Sequence, residues 1–231
     1  MIKEPKIVVI IPAYNEENSI AKVIKDIPAG LAKEVIVVNN NSNDATAVNA
    51  RDAGATVLNE DRPGYGYACL KGINYIKGLQ SLPDIVVFID GDYSDRPEEM
   101  PMLVHPIIND EIDMVIGSRA LGKKEKGSMT APQLFGNWLA TRLLKIIYGV
   151  HYTDLGPFRA IKYEKLLEIN MQDTTYGWTV EMQLKAAKLK MKTIEVPVSY
   201  RKRIGISKIS GTVKGTVLAG YKIITTIFKY A

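Results

Sequence analysis

The sequence predicts an α/β protein, a mostly parallel sheet with helices on both faces and an elaborated C-terminal end. Three observations predict it. Apolar runs rich in Val and Ile, "KIVVII", "EVIVV" and "DIVVFI", lack polar alternation, as strands covered on both sides do. Helical patterns separate these runs along the first half of the chain. Polar, turn-forming residues gather where each strand stops, which is where open α/β sheets bind ligands.

In chain order, the strand "KIVVII" is followed by a helix from Ser19, the strand "EVIVV", a helix from about Asp44 and the short strand "ATVL". A helix from about Gly64 then leads to the strand "DIVVFI". The helix "PEEMPMLVHPIIN" and the strand "DMVIG" continue the pattern. Residues 120–131, "ALGKKEKGSMTA", are polar and contain glycine, which predicts a mobile loop able to order over a ligand. A helix over about 132–148 follows, then "YTDLGPFRAI", a helix around 179–190, the strand-like "KTIEVPVSY" and a final helical stretch.

Composition narrows the classes. The 231 residues, 46% hydrophobic, suffice for one sizeable core. Lys and Arg number 30 against 25 Asp and Glu, a net charge of +5 that favours anionic partners. The single cysteine, Cys69, excludes an intrachain disulfide framework and a Cys-rich zinc site, and a reducing cytoplasm is the expected compartment. The apolar run before Pro12 is too short for a secretory signal. The stretch "VLAGYKIITTIF", interrupted by Lys222, falls short of the roughly 20 apolar residues of a membrane span.

The acids of "VVFIDGDYSDRPEEM" stand out in a basic chain. Asp90 and Asp92 flank a glycine, and carboxylates held so close repel unless a cation sits between them; hard oxygen ligands suit Mg²⁺ or Mn²⁺. The alternative is a solvated turn. Glu98 and Glu99, after Pro97, suit the first turn of a helix. His105 and His151 lack ligand company and read as structural.

"PAYNEE", "NNNSNDAT", "GYGYACLKG", "DGD", "GSR" and "TDLGPFRAI", in this order over roughly residues 5–210, resemble the family 2 glycosyltransferases, nearest the branch of dolichol-phosphate mannose and glucose synthases. The resemblance implies a GT-A fold, Rossmann-like, over residues 1–200, with 201–231 as a basic segment and C-terminal amphipathic helix. It implies inverting transfer from a nucleotide sugar, with UDP-hexose favoured over GDP-hexose, and Mg²⁺ or Mn²⁺ on Asp90 and Asp92. Pro12, Tyr14 and Glu16 then wall the nucleotide pocket, Tyr14 stacking on the base or simply packing. The family commonly has two aspartates where this chain has Asn39 and Asn40. Asn40 is carried over as a donor-site residue all the same, although an amide donates as well as accepts. Asp44 reads as a helix cap or a site residue. Lys71 matches a basic position near the diphosphate or is a surface lysine, and Arg119 in "GSR" is placed to bridge to phosphate.

The acceptor class decides which other groups are needed. A hydroxyl needs a general base, for which Asp154 and Glu181 are the candidates; a phosphate monoester is already ionised and needs positioning charges. "GPFR" departs from the Ser-Gly-Phe-Arg more usual in the lipid-phosphate branch, while Arg159 is retained. Trp178 faces a sugar or the core. Arg201, Arg203 and Lys208 suit an anionic phosphate. From Lys208 onward, Ile209, Val213, Val217, Ile224, Ile227 and Phe228 fall on one helical face and Lys214, Lys222 and Lys229 on another, suiting a lipid interface or a packed apolar face. The expected partners are therefore a nucleotide-sugar donor, a polyprenyl-phosphate or hydroxyl acceptor and, through this helix, a membrane surface. No nucleic acid is expected, and a homo-oligomer stays open. Two other classes compete. A sugar-phosphate nucleotidyltransferase would open with a Gly-rich basic loop, and a non-catalytic nucleotide-sugar binder would keep the pocket without turnover.

Overall fold

A computed structural model of the protein describes residues 5–205 and 213–230. Among the described residues seven strands form one sheet in the order β3-β2-β1-β4-β6-β5-β7. β1 (Ile7–Ala13) lies between β2 (Glu34–Asn39) and β4 (Ile85–Phe88), all parallel, and β3 (Thr56–Asn59) extends the sheet beyond β2. β6 (Arg159–Lys162) runs antiparallel between β4 and β5 (Met114–Ser118), and β7 (Thr193–Pro197) pairs parallel with β5.

The unbroken apolar strands have a simple cause. Val8 and Ile10 of β1 enter one core with Ile36, Val86 and Phe88, while Ile7, Val9 and Ile11 enter a second core on the opposite face. Helices α1 (Ile20–Asp26), α2 (Thr46–Asp52) and α4 (Met100–Asn109) contribute to the second core, through residues such as Val23, Ala50 and Leu103. On the first face lie α3 (Tyr65–Lys77), α5 (Ala131–Tyr148), α6 (Tyr163–Ile169) and α7 (Trp178–Lys188). Each fully buried Val or Ile contributes on the order of 1.5–3 kcal/mol.

β6 and α6 are elements that the sequence pattern did not predict. "RAIK" is four residues without a Val/Ile run, and its strand exists because β4 and β5 offer it partners on both sides. Its reversal positions the site. Arg159 pairs with Phe88, so the preceding "TDLGPF" segment is held at the carboxyl end of β4. β5 and β7 end on the same side, with Ser118 opposite Pro197.

α5 begins one residue before its predicted start. Thr130 and Gln133 form a reciprocal capping box, and Gly149, at φ 70°, ends the helix in the left-handed conformation. The loop before it is better anchored than its composition suggests. Lys123 and Glu125 exchange backbone hydrogen bonds with Tyr200 at 2.8 and 2.9 Å, and the Glu125 carboxylate accepts from the Lys202 amide. Residues 120–126 thus form a wall against the 198–202 strand extension.

α8 (Val213–Lys229) packs on α5 and α7, with the Tyr148 hydroxyl donating to the Ile227 carbonyl at 2.6 Å. The single apolar face expected for it is divided. Ile227 is fully buried, whereas Val217 and Phe228 are exposed, because the packed arc lies to the other side of Ile227 and takes in Ile223 and Thr226. Lys222 pairs with Asp173 at 3.0 Å. Lys208 and Ile209 lie outside the described residues, as do the side chains of Val213 and Lys214. Among the described residues no helix is long and apolar enough to cross a membrane.

The first turn of α3 is pressed against the 173–174 backbone, with the Tyr67 amide donating to the Thr174 carbonyl at 3.0 Å. A Cβ at Gly66 would collide with the Asp173 carbonyl oxygen and lie 2.6 Å from the Thr174 carbonyl carbon. Gly66→Ala is therefore expected to destabilise the protein by about 1–3 kcal/mol. A chemical-denaturation curve matching the parent would contradict this close approach.

Candidate active site

β4 delivers its chain into a cluster of acids. Asp92 is nearly buried, and its Oδ1 accepts from the Ser94 amide at 2.9 Å. Its Oδ2 lies 2.7 Å from the Arg203 guanidinium. Asp90 accepts from the Tyr65 hydroxyl at 3.0 Å. It keeps some surface open at the mouth of the site, yet the protein packed around it, and then the charge of Asp92, push its carboxyl up to about 7. Asp95 is 1% exposed, and neither of its carboxylate oxygens has a hydrogen-bond partner. Burial, with Asp90 second, raises it well above the usual aspartate range.

Cations answer the acids from the neighbouring strand ends. Arg119, just past β5, grips Asp154 through Nε and Nη2, both at 2.7 Å, and its amide donates to the same carboxylate at 2.7 Å. Burial works against the Arg119 charge, but Asp154 outweighs it and raises the guanidinium pKa. Arg203 arrives on the strand extension after β7, where the Ile204 amide donates to the Asp92 carbonyl at 3.0 Å. Among the described residues no three His, Cys, Asp or Glu side chains are gathered around one point for a metal. Asp92, which already draws a guanidinium, and Asp90 two residues away do fit a hard divalent ion, which commonly takes one or two protein carboxylates and completes its shell with substrate phosphates.

The family model described as glycosyl transferase family 2 matches residues 8–169. The chain belongs to this family. It is 33% identical over 219 residues to a dolichyl-phosphate hexose transferase of Haloferax volcanii, covering 91% of this chain and 89% of the relative. An undecaprenyl-phosphate mannosyltransferase of Micrococcus luteus is 28% identical over 222 residues, covering 91% and 90%. The fold matches glucosyl-3-phosphoglycerate synthase from Mycobacterium tuberculosis, solved with Mn²⁺, UDP-glucose and phosphoglyceric acid, at a TM-score of 0.79 and 24% identity over 98% of this chain and 80% of that one.

In this family 2 glycosyltransferase several residues expected to act on substrates hold the frame instead. Asp154 is 1% exposed and clamped by Arg119, so that its carboxylate anchors that guanidinium. Glu181, fully buried, accepts from the amides of Gln172 and Asp173 and from the Tyr230 hydroxyl, and pairs with Lys185 at 2.6 Å. With its oxygens so occupied it fastens the 172–173 segment. Arg159 is wholly buried, donates to the carbonyls of Gly156 and Thr179, and is pulled down to about 10 by burial. Its guanidinium braces the "GPFR" segment against α7. Arg201 stacks on Tyr93 at 3.3 Å and donates to the carbonyls of Tyr93 and Asp95, so its guanidinium braces the acidic loop. Trp178 is a core residue, edge-on to Phe88 at 6.0 Å.

The departure at Asn40 has a structural reason. Its Nδ2 donates to the carbonyls of Glu60 (3.1 Å) and Arg62 (2.7 Å), and its Oδ1 accepts from the Gly64 amide at 2.8 Å. A carboxylate could make only the last of these bonds. Asn40 thereby sets the start of α3, and with it Tyr65 on Asp90. Lys71 is exposed on α3, its charge felt at Glu60. Asp44 binds the Thr46 amide at 3.0 Å and serves the turn into α2. At the other lip Pro12 is buried in β1, Glu16 accepts from the Ser19 hydroxyl at 2.9 Å, and Tyr14 is 43% exposed with its ring open to a stacking partner. Tyr65 and Asp95 were missed as site residues. Tyr65 was detectable only as a hydroxyl beside a turn glycine, and Asp95 only as a third acid in the loop.

Asp95 produces a pH signature. Its pKa is above 3.8 in the folded protein and near 3.8 when unfolded, so between these values the unfolded chain has shed a proton that the folded chain retains. Asp95's own contribution to stability in the metal-free parent therefore falls as pH rises above about 4. Asp95→Asn removes this dependence: its stability relative to the parent should rise from about pH 4 to about pH 7 in denaturant melts. A constant difference at both pH values would contradict the buried neutral acid.

Proposed function

We propose that this enzyme moves a hexose from a nucleotide sugar, a UDP-sugar in preference to a GDP-sugar, to a polyprenyl- or dolichyl-phosphate-type lipid, with inversion at the anomeric carbon. The observation that carries this reading is the state of the two candidate bases. Asp154 is locked to Arg119 and Glu181 is sealed in a turn, so the carboxylates that a hydroxyl acceptor would call on are both engaged. A phosphate monoester needs neither, because it reaches the site already ionised. The names of the Haloferax and Micrococcus relatives support the same acceptor class.

In this reaction a phosphate oxygen of the acceptor attacks the anomeric carbon while the bond to the donor's β-phosphate oxygen breaks. The negative charge lost by the acceptor phosphate appears on the nucleoside diphosphate, and no proton moves. Mg²⁺ or Mn²⁺, which Asp90 and Asp92 would hold, supplies neutralisation of the departing diphosphate. Arg203, already against Asp92, adds a second positive charge at that position, and Arg119 holds another behind it. Tyr14 and Glu16 face the nucleoside, the tyrosine ring against the base. A lipid acceptor places the enzyme at a membrane surface, with α8 as one contact.

Release of nucleoside diphosphate from a panel of nucleotide sugars with Mn²⁺, with and without polyprenyl phosphate, tests this. Polyprenyl phosphate should stimulate release; turnover with a soluble hydroxyl acceptor and none with the lipid phosphate would overturn the reading. Asp92→Asn should lower transfer by two to three orders of magnitude while leaving the folded state intact by circular dichroism. Equal activity of variant and parent at limiting Mn²⁺ would remove Asp92 as the metal-binding group.

A further inference from the structure

α5 carries an apolar stripe that the fold leaves uncovered. Phe135, Trp138 and Ile146 are 62%, 58% and 71% exposed, and at 100° per residue they share one side of the helix with Leu134 and Arg142. The Phe135 and Trp138 rings lie 5.8 Å apart, and Arg142 and Lys145 are exposed beside them. α8, packed on α5, adds exposed Val217, Tyr221 and Phe228 with exposed Lys229. A monomeric protein rarely leaves so much large apolar surface together without a use for it.

Charge selects the occupant. Neither Ala131–Tyr148 nor Val213–Lys229 contains an Asp or Glu, so every charge that these helices carry is positive. A second copy of the chain meeting this face through a two-fold contact would set basic rim against basic rim with no acid from either helix to answer it. An anionic lipid surface meets both requirements. It accepts Phe and Trp side chains at the headgroup boundary and attracts the flanking Arg and Lys.

We infer that α5, with α8 beside it, is the seat of the enzyme on an anionic bilayer, Phe135 and Trp138 inserting at the headgroup level and Arg142 and Lys145 binding lipid phosphates. The helix that carries the stripe also braces the site. Asn137, adjacent in sequence to Trp138, donates to the Thr153 carbonyl at 3.0 Å and accepts from the Leu155 amide at 2.9 Å, bracketing the Asp154 that holds Arg119. A bilayer under this face brings a membrane-embedded phosphate to the side of the site opposite the nucleotide pocket; that consequence rests on the lipid-acceptor reading, whereas the seat itself does not.

The test uses vesicles that contain no polyprenyl phosphate. The intact protein should co-sediment with mixed phosphatidylcholine and phosphatidylglycerol, bind phosphatidylcholine alone weakly, and release from the mixed vesicles as salt rises. The chain has two tryptophans, and Trp178 is buried against Phe88, so a blue shift of emission on mixed vesicles reports Trp138. Phe135→Ser with Trp138→Ser should abolish that shift and weaken binding at least tenfold, while turnover of a short, water-soluble polyprenyl phosphate stays at the parent level. Arg142→Gln with Lys145→Gln should weaken binding to the anionic vesicles only. Unchanged Trp138 emission, equal vesicle binding by the serine variant, or a parent dimer in solution that the serine variant dissolves would each overturn the seat. Failure of the soluble acceptor with vesicle binding intact would instead overturn the lipid-phosphate reaction.

Discussion

Charge at the end of β4 is the constraint on which the rest depends. Three acids enter a space walled by buried strands, and they cannot all ionise there without cations. The protein meets this in three ways: Asp92 takes Arg203, Asp90 takes a tyrosine hydroxyl and is pushed up to about 7, and burial raises Asp95 well above the usual aspartate range. The local structure shows the same tension, since Tyr93 between Asp92 and Ser94 sits at φ 64° and is held there by the stacked Arg201.

The counter-charges reach the loop because of one reversal in the sheet. β6, antiparallel between β4 and β5, starts where its neighbours end, so the segment before it meets the ends of β4 and β5. Glu195 of β7 accepts from the amides of Thr153 and Asp154 at 2.8 and 3.0 Å, and Asp154 in turn orients Arg119. An uninterrupted chain of hydrogen bonds therefore runs from an edge strand to a guanidinium at the site. On the opposite flank Asn40 aligns the 60–64 loop and the start of α3, which sets Tyr65 on Asp90. Both flanks use polar side chains for positioning, which is why so many motif residues are buried.

Much of this was legible in the chain. β1, β2 and β4 were readable because both of their faces are buried, and the hydrophobic run has no alternation to disguise it. Pro132 and Gly149 bounded α5, since each acts on the backbone locally. The acidic pair was readable too, because like charges at close spacing imply a cation whatever the fold. β6 was not readable: four residues carry too little pattern, and only the two flanking strands make them extended. Asp154, Glu181 and Arg159 were recognised as chemically capable, but a residue's chemistry does not reveal whether a partner distant in sequence has already engaged it.

The sequence by itself determined the layered α/β architecture and the gathering of acids and other polar residues at strand ends, which follow from local periodicity and from charges close together along the chain. Tertiary structure alone decided which polar residues act and which brace. Arg119 with Asp154 is joined across 35 residues, Asn40 with Arg62 across 22, and Ser199 with Glu99 across 100. It also decided which apolar residues face outward. The same 3.6-residue period that places Ile227 in the core leaves Trp138 and Phe228 uncovered, because a helix presents more apolar surface than one neighbour can bury, and only the packed neighbours determine which arc remains.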